Sequence, residues 1–473
     1  MGAVHDDLTQ RDVRGGQRVV VLGGGPGGYE AALVARRLGA DVTVVEKQGL
    51  GGAAVLTDVV PSKTLIATAE WLTIAESAPE LGIRDGGDGH SVDLSAVNTR
   101  VLALAAAQSA DIRARLDREG IEIVTGEGRL DGPSRVVVGD TALDADAVLV
   151  SVGATPRTLP TAVPDGERIL TWTQLYALDA LPERLVVVGS GVTGAEFAGA
   201  YRSLGSEVVL VSSRDRVLPG EDEDAAELLE GVFRGRGMEV LSRSRAAGAT
   251  RTATGVEVTL DDGRVVEGSH VLVAVGAVPA TRGIGLEEAG VALSGSGHVV
   301  VDKVSRTTAR GVYAAGDCTG VLPLASVAAQ QGRIAMAHAL GDAVEPLRLG
   351  TVAANIFTAP EIATVGYSEK ALRARDARYV TTTLPLARNP RAKMLGMRDG
   401  FVKLFAHPEA GVVLGGVVVA PRASELVFPI TLAVSHRLTV DDVAGAFTVY
   451  PSLSGSIAEA ARTLHGQAAR VEA

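Results

Sequence analysis

At 473 residues the chain is long enough for about three domains, and 46% hydrophobic residues with 57 glycines suit an α/β protein of buried Val-rich strands and tight turns, packed on Val, Leu and Ala because aromatics reach only 3%. A formal net charge of −11 without a basic block argues against nucleic-acid binding, and no run of about 18 apolar residues offers a membrane span. One cysteine, Cys318, excludes an intrachain disulfide and a cysteine-based metal cluster. The eight histidines show no metal-ligand spacing, so no metal is expected, and the balance fits a reducing, cytoplasmic compartment.

Residues 1–16 are polar, lack the apolar stretch of a secretory signal, and read as a disordered leader. The first organised segment runs Arg18-Val-Val-Val-Leu, then Gly23-Gly24-Gly25-Pro26-Gly27-Gly28, then a helical stretch, then Asp41-Val-Thr-Val-Val-Glu46. It is a strand, a Gly-x-Gly-x-x-Gly turn, a helix and a strand. In such a turn the first Gly permits a tight bend, the second lets backbone approach a pyrophosphate, and the third lets the helix pack on the strand. The phosphate sits at the helix N-terminus, where free N–H groups and the helix dipole favour an anion. Glu46, 18 residues after Gly28, is placed to accept both hydroxyls of an adenosine ribose, which FAD and NAD alike carry free.

A second copy of the pattern runs Leu185-Val-Val-Val-Gly189-Ser190-Gly191-Val192-Thr193-Gly194, then a helix, then Glu207-Val-Val-Leu-Val-Ser212. The offset that reaches Glu46 lands here on Ser212, followed by Ser213 and Arg214. Two hydroxyls and a guanidinium can receive a 2′-phosphate, and no acid repels it, so NADPH is favoured at this site while NADH stays possible. Between and after the two copies lie Val148-Leu-Val-Ser-Val-Gly153, Val271-Leu-Val-Ala-Val-Gly276 and Gly311-Val-Tyr-Ala-Ala-Gly316-Asp317. From about residue 346 the texture becomes α+β, with Phe357-Thr-Ala-Pro-Glu-Ile-Ala-Thr-Val-Gly366 and Gly400-Phe-Val-Lys-Leu404.

Taken together, these motifs resemble the flavoprotein disulfide reductases, also called pyridine nucleotide-disulfide oxidoreductases, over residues 17–465. The resemblance implies an α/β fold of two Rossmann-like dinucleotide-binding domains and a C-terminal α+β dimerisation domain. FAD binding would fall to residues 17–159 and 281–345, NAD(P) binding to 160–280, and a homodimer interface to 346–473. Against FAD it places Gly23, Gly25, Gly27, Gly28, Glu46, Lys47, Gly52, Lys63, Gly128, Gly153, Asp317 and Ala325, with Asp317 on the ribityl chain. Against the pyridine nucleotide it places Gly189, Gly191, Thr193, Gly194, Glu196, Ser212, Ser213, Arg214 and Gly276.

One segment of the family pattern has lost its chemistry. Gly51-Gly52-Ala53-Ala54-Val55-Leu56-Thr57-Asp58-Val59-Val60-Pro61-Ser62-Lys63 resembles the family's active-site loop, with Ala54 and Val59 where the family carries its redox cysteines. The His and Glu that the family supplies from the partner subunit fall on Tyr450 and Gly455. Lys63 remains, as does Glu196, its partner beside the flavin in that family. The hydride input is therefore kept and the dithiol output lost. A flat two-electron acceptor that takes electrons from the flavin directly is then required, and a quinone fits. It would enter a space lined by Ala54, Val55 and Val59 and bounded by Tyr450 of the partner subunit, or the nicotinamide pocket. The pattern resembles the lipoamide-dehydrogenase-like NAD(P)H:quinone reductases of bacteria. A soluble pyridine nucleotide transhydrogenase and a flavin-binding interaction protein are the alternatives.

Overall fold

The computed structural model describes residues 16–83 and 90–471. Apart from Gly16, the leader assigned to residues 1–16 lies outside the described residues. Two compact units are present. One is built from the chain up to Thr57, Ala105–Thr155 and Val278–Leu347; the other from Asp58–Leu104, Pro156–Ala277 and the chain from Arg348 onward.

The first unit centres on a parallel sheet. In spatial order its strands are Val312–Ala314, Ala147–Val150, β1 (Arg18–Leu22), β2 (Asp41–Glu46) and Glu122–Thr125. Val20 and Leu22 pack against Val136 and Val138 of a small antiparallel layer. On the other side Val21 meets α1 (Pro26–Arg37) close to Gly28. Both faces are covered, so β1 is an unbroken apolar run rather than an alternating one. α1 also packs on the helix Ala325–Ala339, and a Cβ at Gly332 would collide with the Gly27 carbonyl, so small residues set that close approach. α2 (Gly52–Leu56) follows β2 in sequence.

The second unit opens with α3 (Val59–Ser77). Its parallel sheet orders Glu239–Leu241, β4 (Glu207–Val211), β3 (Arg184–Val188), His270–Val273 and Ile169–Leu170. Leu185 and Val187 point to a core shared with α4 (Val192–Leu204), while Val186 and Val188 point to an antiparallel layer holding Val256, Val258 and Val266. That division is the two-residue period of a strand buried on both sides. α5 (Glu223–Gly235) comes next and is capped at its N-terminus by Asp222. The C-terminal part, with α6 (Glu369–Ala374), forms an antiparallel sheet ordered Ala353–Ile356, Glu361–Gly366, Val413–Ala420, β5 (Phe401–Ala406) and Val380–Pro385. The fold is therefore α/β with two Rossmann-like sheets and a C-terminal α+β domain. Among the described residues no helix is long and apolar enough to cross a membrane.

Candidate cofactor and hydride-transfer site

In the first unit the glycine turn follows β1 directly. Gly23 takes φ 103°, and a Cβ there would collide with the Ser151 carbonyl. A Cβ on Gly28 would collide with the Gly23 carbonyl, and one on Gly27 would lie 2.7 Å from Ser151 Oγ. Gly25 differs: its missing side chain faces open space, with nothing within 4 Å. Gly52 closes on this point, since its Cβ would lie 2.9 Å from Gly25 Cα, and Gly51 N–H donates to the Gly24 carbonyl at 2.8 Å. The Gly-Gly pair is thus what lets the start of α2 approach the turn at the α1 N-terminus. A glycine-lined concavity at a helix N-terminus fits a pyrophosphate.

Glu46, at the end of β2, is fixed from one side. Its Oε2 accepts Gly24 N–H at 2.6 Å, and its Oε1 accepts Gln48 N–H at 2.7 Å and Gly49 N–H at 3.3 Å. It borders a cavity of about 420 Å³ with Gln48, Gly49, Leu56, Ser109 and Arg113, space into which an adenosine ribose fits. Lys47 is exposed and ion-paired to Glu127 at 3.0 Å. Gly128 is enclosed, its absent Cβ facing Leu22 and Val45 at 2.6 and 2.9 Å, so its smallness serves packing. Gly153 opens onto free space, and Ala325 begins its helix half-buried.

Asp317 lies in a short 3₁₀ turn (Asp317–Thr319), and burial raises its carboxyl above the usual range while His298 partly opposes the shift. Gln331 holds that turn, a role the sequence pattern did not reveal. It is 1% exposed, its Oε1 accepts Gly316 N–H at 2.9 Å, and its Nε2 donates to Thr319 Oγ1 at 3.4 Å. Cys318 is fully buried, with its thiol pushed up to about 12 by burial, so it is an inert filler of the turn.

The second unit repeats the steric logic. Gly189 takes φ 114° with its absent Cβ against the Ala274 carbonyl, Gly194 packs against the Gly189 carbonyl, and Gly191 faces open space. Thr193 is half-buried in the first turn of α4. Gly276 is exposed, and its carbonyl accepts Arg157 N–H at 2.9 Å. Ser212 differs from Ser213 and Arg214. Its side chain is completely buried, shares a 2.7 Å hydrogen bond with Ser190 Oγ, and accepts Arg214 N–H at 3.1 Å. Ser212 thereby ties the strand end to the glycine turn, while Ser213 and Arg214 are exposed and free to meet a ligand.

The second unit also holds the Lys63–Glu196 pair. Lys63 Nζ donates to Glu196 Oε2 at 2.7 Å; Glu196 is 3% exposed on α4 and Lys63 lies on α3. Phe357 braces both partners. Its N–H donates to Glu196 Oε1 at 2.8 Å, and Lys63 Nζ stands 5.0 Å from its ring centroid. The segment expected as a loop over residues 51–63 is instead mostly helical, because Pro61 falls in the first turn of α3, where no intrahelical N–H is needed. Within it Ala54 and Val59 are half-buried, but Val55 is 6% exposed and turns inward onto Gly51, so it does not line an open face.

Tyr450 is 83% exposed, next to exposed Val449 and Phe447. Asn389 holds the segment that follows, with Nδ2 donating to the Ser452 carbonyl at 3.0 Å and to Ser456 Oγ at 2.7 Å.

Comparison with known proteins agrees with this geometry. Residues 17–332 match the family model described as pyridine nucleotide-disulphide oxidoreductase, and residues 352–461 match its dimerisation domain. A protein of Mycobacterium tuberculosis named NAD(P)H dehydrogenase (quinone) is 56% identical over 94% of both chains. Dihydrolipoyl dehydrogenase of Bacillus subtilis is 32% identical, covering 94% of this chain and 96% of that protein. A crystal structure of LpdA from M. tuberculosis matches with a TM-score of 0.90 and 55% identity, covering 95% of this chain and 99% of that one. The chain belongs to the pyridine nucleotide-disulphide oxidoreductase family.

Proposed function

We propose that the chain is an FAD-dependent NAD(P)H:quinone oxidoreductase, with NADPH favoured, working as a cytoplasmic homodimer without a catalytic disulfide. The observation that carries this reading is the part-buried Lys63–Glu196 pair, kept at 2.7 Å in a chain whose dithiol positions hold Ala54 and Val59. The name of the 56% identical relative supports the quinone as acceptor.

The α1 N-terminus with Gly25 and Gly52 would hold the pyrophosphate of FAD, Glu46 its adenosine ribose, and Asp317 its ribityl hydroxyls. Bound there, FAD supplies two-electron transfer between a nicotinamide and an acceptor. The Gly189–Gly194 turn would take the pyridine nucleotide, and Arg214 with Ser213 its 2′-phosphate. Lys63, paired with Glu196 and set over the Phe357 ring, would offset negative charge gained on reduction. Tyr450 would reach the partner's acceptor site and donate its hydroxyl to a quinone oxygen. The domain division that goes with this reading is FAD binding over 17–159 and 281–345, NAD(P) binding over 160–280, and an interface from 346 on.

The test is anaerobic stopped flow. The holoprotein is reduced with NADPH and then mixed separately with a naphthoquinone, lipoamide and NAD+. Fast flavin reoxidation by the naphthoquinone is expected. Fast reoxidation by lipoamide overturns the reading, and fast reoxidation by NAD+ with a sluggish quinone reaction assigns a transhydrogenase instead.

A further inference from the structure

The second unit contains a buried ionic cage that neither glycine turn requires. Lys403, on β5, is 4% exposed, and its Nζ donates to three carboxylates: Asp222 Oδ2 at 3.0 Å, Asp224 Oδ2 at 2.9 Å and Glu369 Oε2 at 2.8 Å. Those partners come from two further elements, the N-cap and first turn of α5 and the first turn of α6. A buried ammonium needs its donors satisfied, and here all three are.

The cage continues to the second glycine turn. Asp222 uses its other oxygen, Oδ1, to cap α5 through Asp224 N–H at 3.1 Å and Ala225 N–H at 3.3 Å. One residue upstream, Glu221 N–H donates to the Leu218 carbonyl at 3.1 Å, and Leu218 N–H donates to the Ser190 carbonyl at 2.9 Å. Ser190 lies between Gly189 and Gly191, and its hydroxyl is the one shared with Ser212. Besides its bonds to Arg243 and Glu230, the segment 212–222, which carries Ser213 and Arg214, is therefore pinned at three points to the glycine turn and the C-terminal sheet. Two of them are on Ser190, and the third is Lys403, reached from the C-terminal sheet.

We infer that Lys403 is a positioning residue for the pyridine nucleotide: it holds the 212–222 segment in register with the Gly189–Gly194 turn and cancels carboxylate charge beside an anionic ligand. The inference rests on the reading that this turn takes NADPH. Without Lys403, three carboxylates would repel one another at the α5 N-terminus and release the distal end of the segment.

The two half-reactions of the holoenzyme provide the test. For Lys403→Met the Kd of NADPH, read from the concentration dependence of flavin reduction, should rise roughly tenfold with the limiting rate unchanged, while Lys403→Arg stays within about twofold of the native value. Flavin reoxidation by a naphthoquinone should be unaffected in both variants. An unchanged NADPH Kd in Lys403→Met, or equal losses in both half-reactions, overturns the inference. If Lys403→Met does not yield holoenzyme, Asp224→Asn, whose carboxylate is half exposed, takes its place. A rise of about threefold in NADPH Kd then supports the inference, and an unchanged Kd overturns it. Arg214→Ala separates the two levels. If it weakens NADPH but Lys403→Met does not, this inference alone fails; if neither weakens NADPH, the NADPH reading fails with it.

Discussion

Gly25 and Gly28 are three residues apart in one turn and lack side chains for different reasons. A methyl group on Gly28 would collide with the Gly23 carbonyl, a backbone atom that cannot move aside. Gly28→Ala should therefore destabilise the FAD-free protein by about 1–3 kcal/mol, the usual cost of overpacking, seen as a lowered Tm. At Gly25 the same methyl meets nothing, and φ −69° suits alanine. Gly25→Ala should leave the Tm of the FAD-free protein unchanged and lose flavin during gel filtration. Full flavin retention would refute the pyrophosphate cradle. Phe357 makes a comparable distinction by way of its ring. Phe357→Leu keeps the N–H bond to Glu196 and removes the aromatic face over Lys63, a contact worth about 0.5–2 kcal/mol. Flavin reduction by NADPH should slow several-fold, and Phe357→Tyr should restore it; an equal loss in both variants would assign Phe357 to packing alone.

Elements differ in how far the sequence discloses them. The two glycine turns are legible because their constraint is local: strand, turn and helix are contiguous, and each steric clash lies within the motif or on the neighbouring strand. The helical character of residues 51–63 is hidden by the Gly-Gly pair and Pro61, which read as breakers and in fact serve a close approach and a first helical turn. The inward turn of Val55 depends on the space Gly51 leaves, which no spacing rule encodes. The cage around Lys403 is illegible for a deeper reason. Its members, Asp222 and Asp224 at the start of α5, Glu369 on α6 and Lys403 on β5, come from three elements and meet only through tertiary packing.

That cage sets a pH signature. Burial acts to lower the Lys403 pKa, but the three carboxylates more than offset it and hold the group above its ordinary range. Its contribution is therefore fully present below the ordinary lysine range and is lost only as pH rises through the raised value. Glu369 shifts the other way: burial would raise it, but hydrogen bonds from Lys403 and Tyr379, with the charges of Lys403 and Arg373, hold it below its ordinary range. Its contribution is present above about pH 4 and is lost as pH falls through the depressed value. From neutral pH downward, the cage's contribution to the wild-type Tm should thus decline only in acid. Lys403→Met should cost about 3–5 kcal/mol at neutral pH by leaving buried carboxylates without their cation. Its Tm should then fall less in acid than that of the wild type, because Glu369 has lost the lysine that helps hold it below its ordinary range. A variant whose Tm falls in acid as steeply as that of the wild type would show that the carboxylates find other partners.

At the scale of the molecule, the dimerisation domain leaves large apolar side chains in water: Phe447 fully, Tyr450 and Val449 largely, and Phe428 by 61%. A row of this kind is the signature of a surface meant to be covered, and a two-fold dimer covers the same patch on both chains. The proposed function adds that Tyr450 serves the partner's acceptor site, while Lys63 serves the site of its own chain. The two roles can be separated by mixing. A Lys63→Met chain and a Tyr450→Ala chain should each be nearly inactive as homodimers in NADPH:naphthoquinone turnover. Unfolded together and refolded at equal amounts, they form mixed dimers in which one site combines the intact Lys63 of one chain with the intact Tyr450 of the other. The second site of each mixed dimer carries both lesions. With random pairing about half the dimers are mixed, so about a quarter of all sites are restored, and the mixture should recover about a quarter of wild-type activity. If Tyr450 acts within its own chain, every site retains one lesion and mixing restores nothing. The recovered fraction therefore tests the dimer and the direction of its sharing in one measurement.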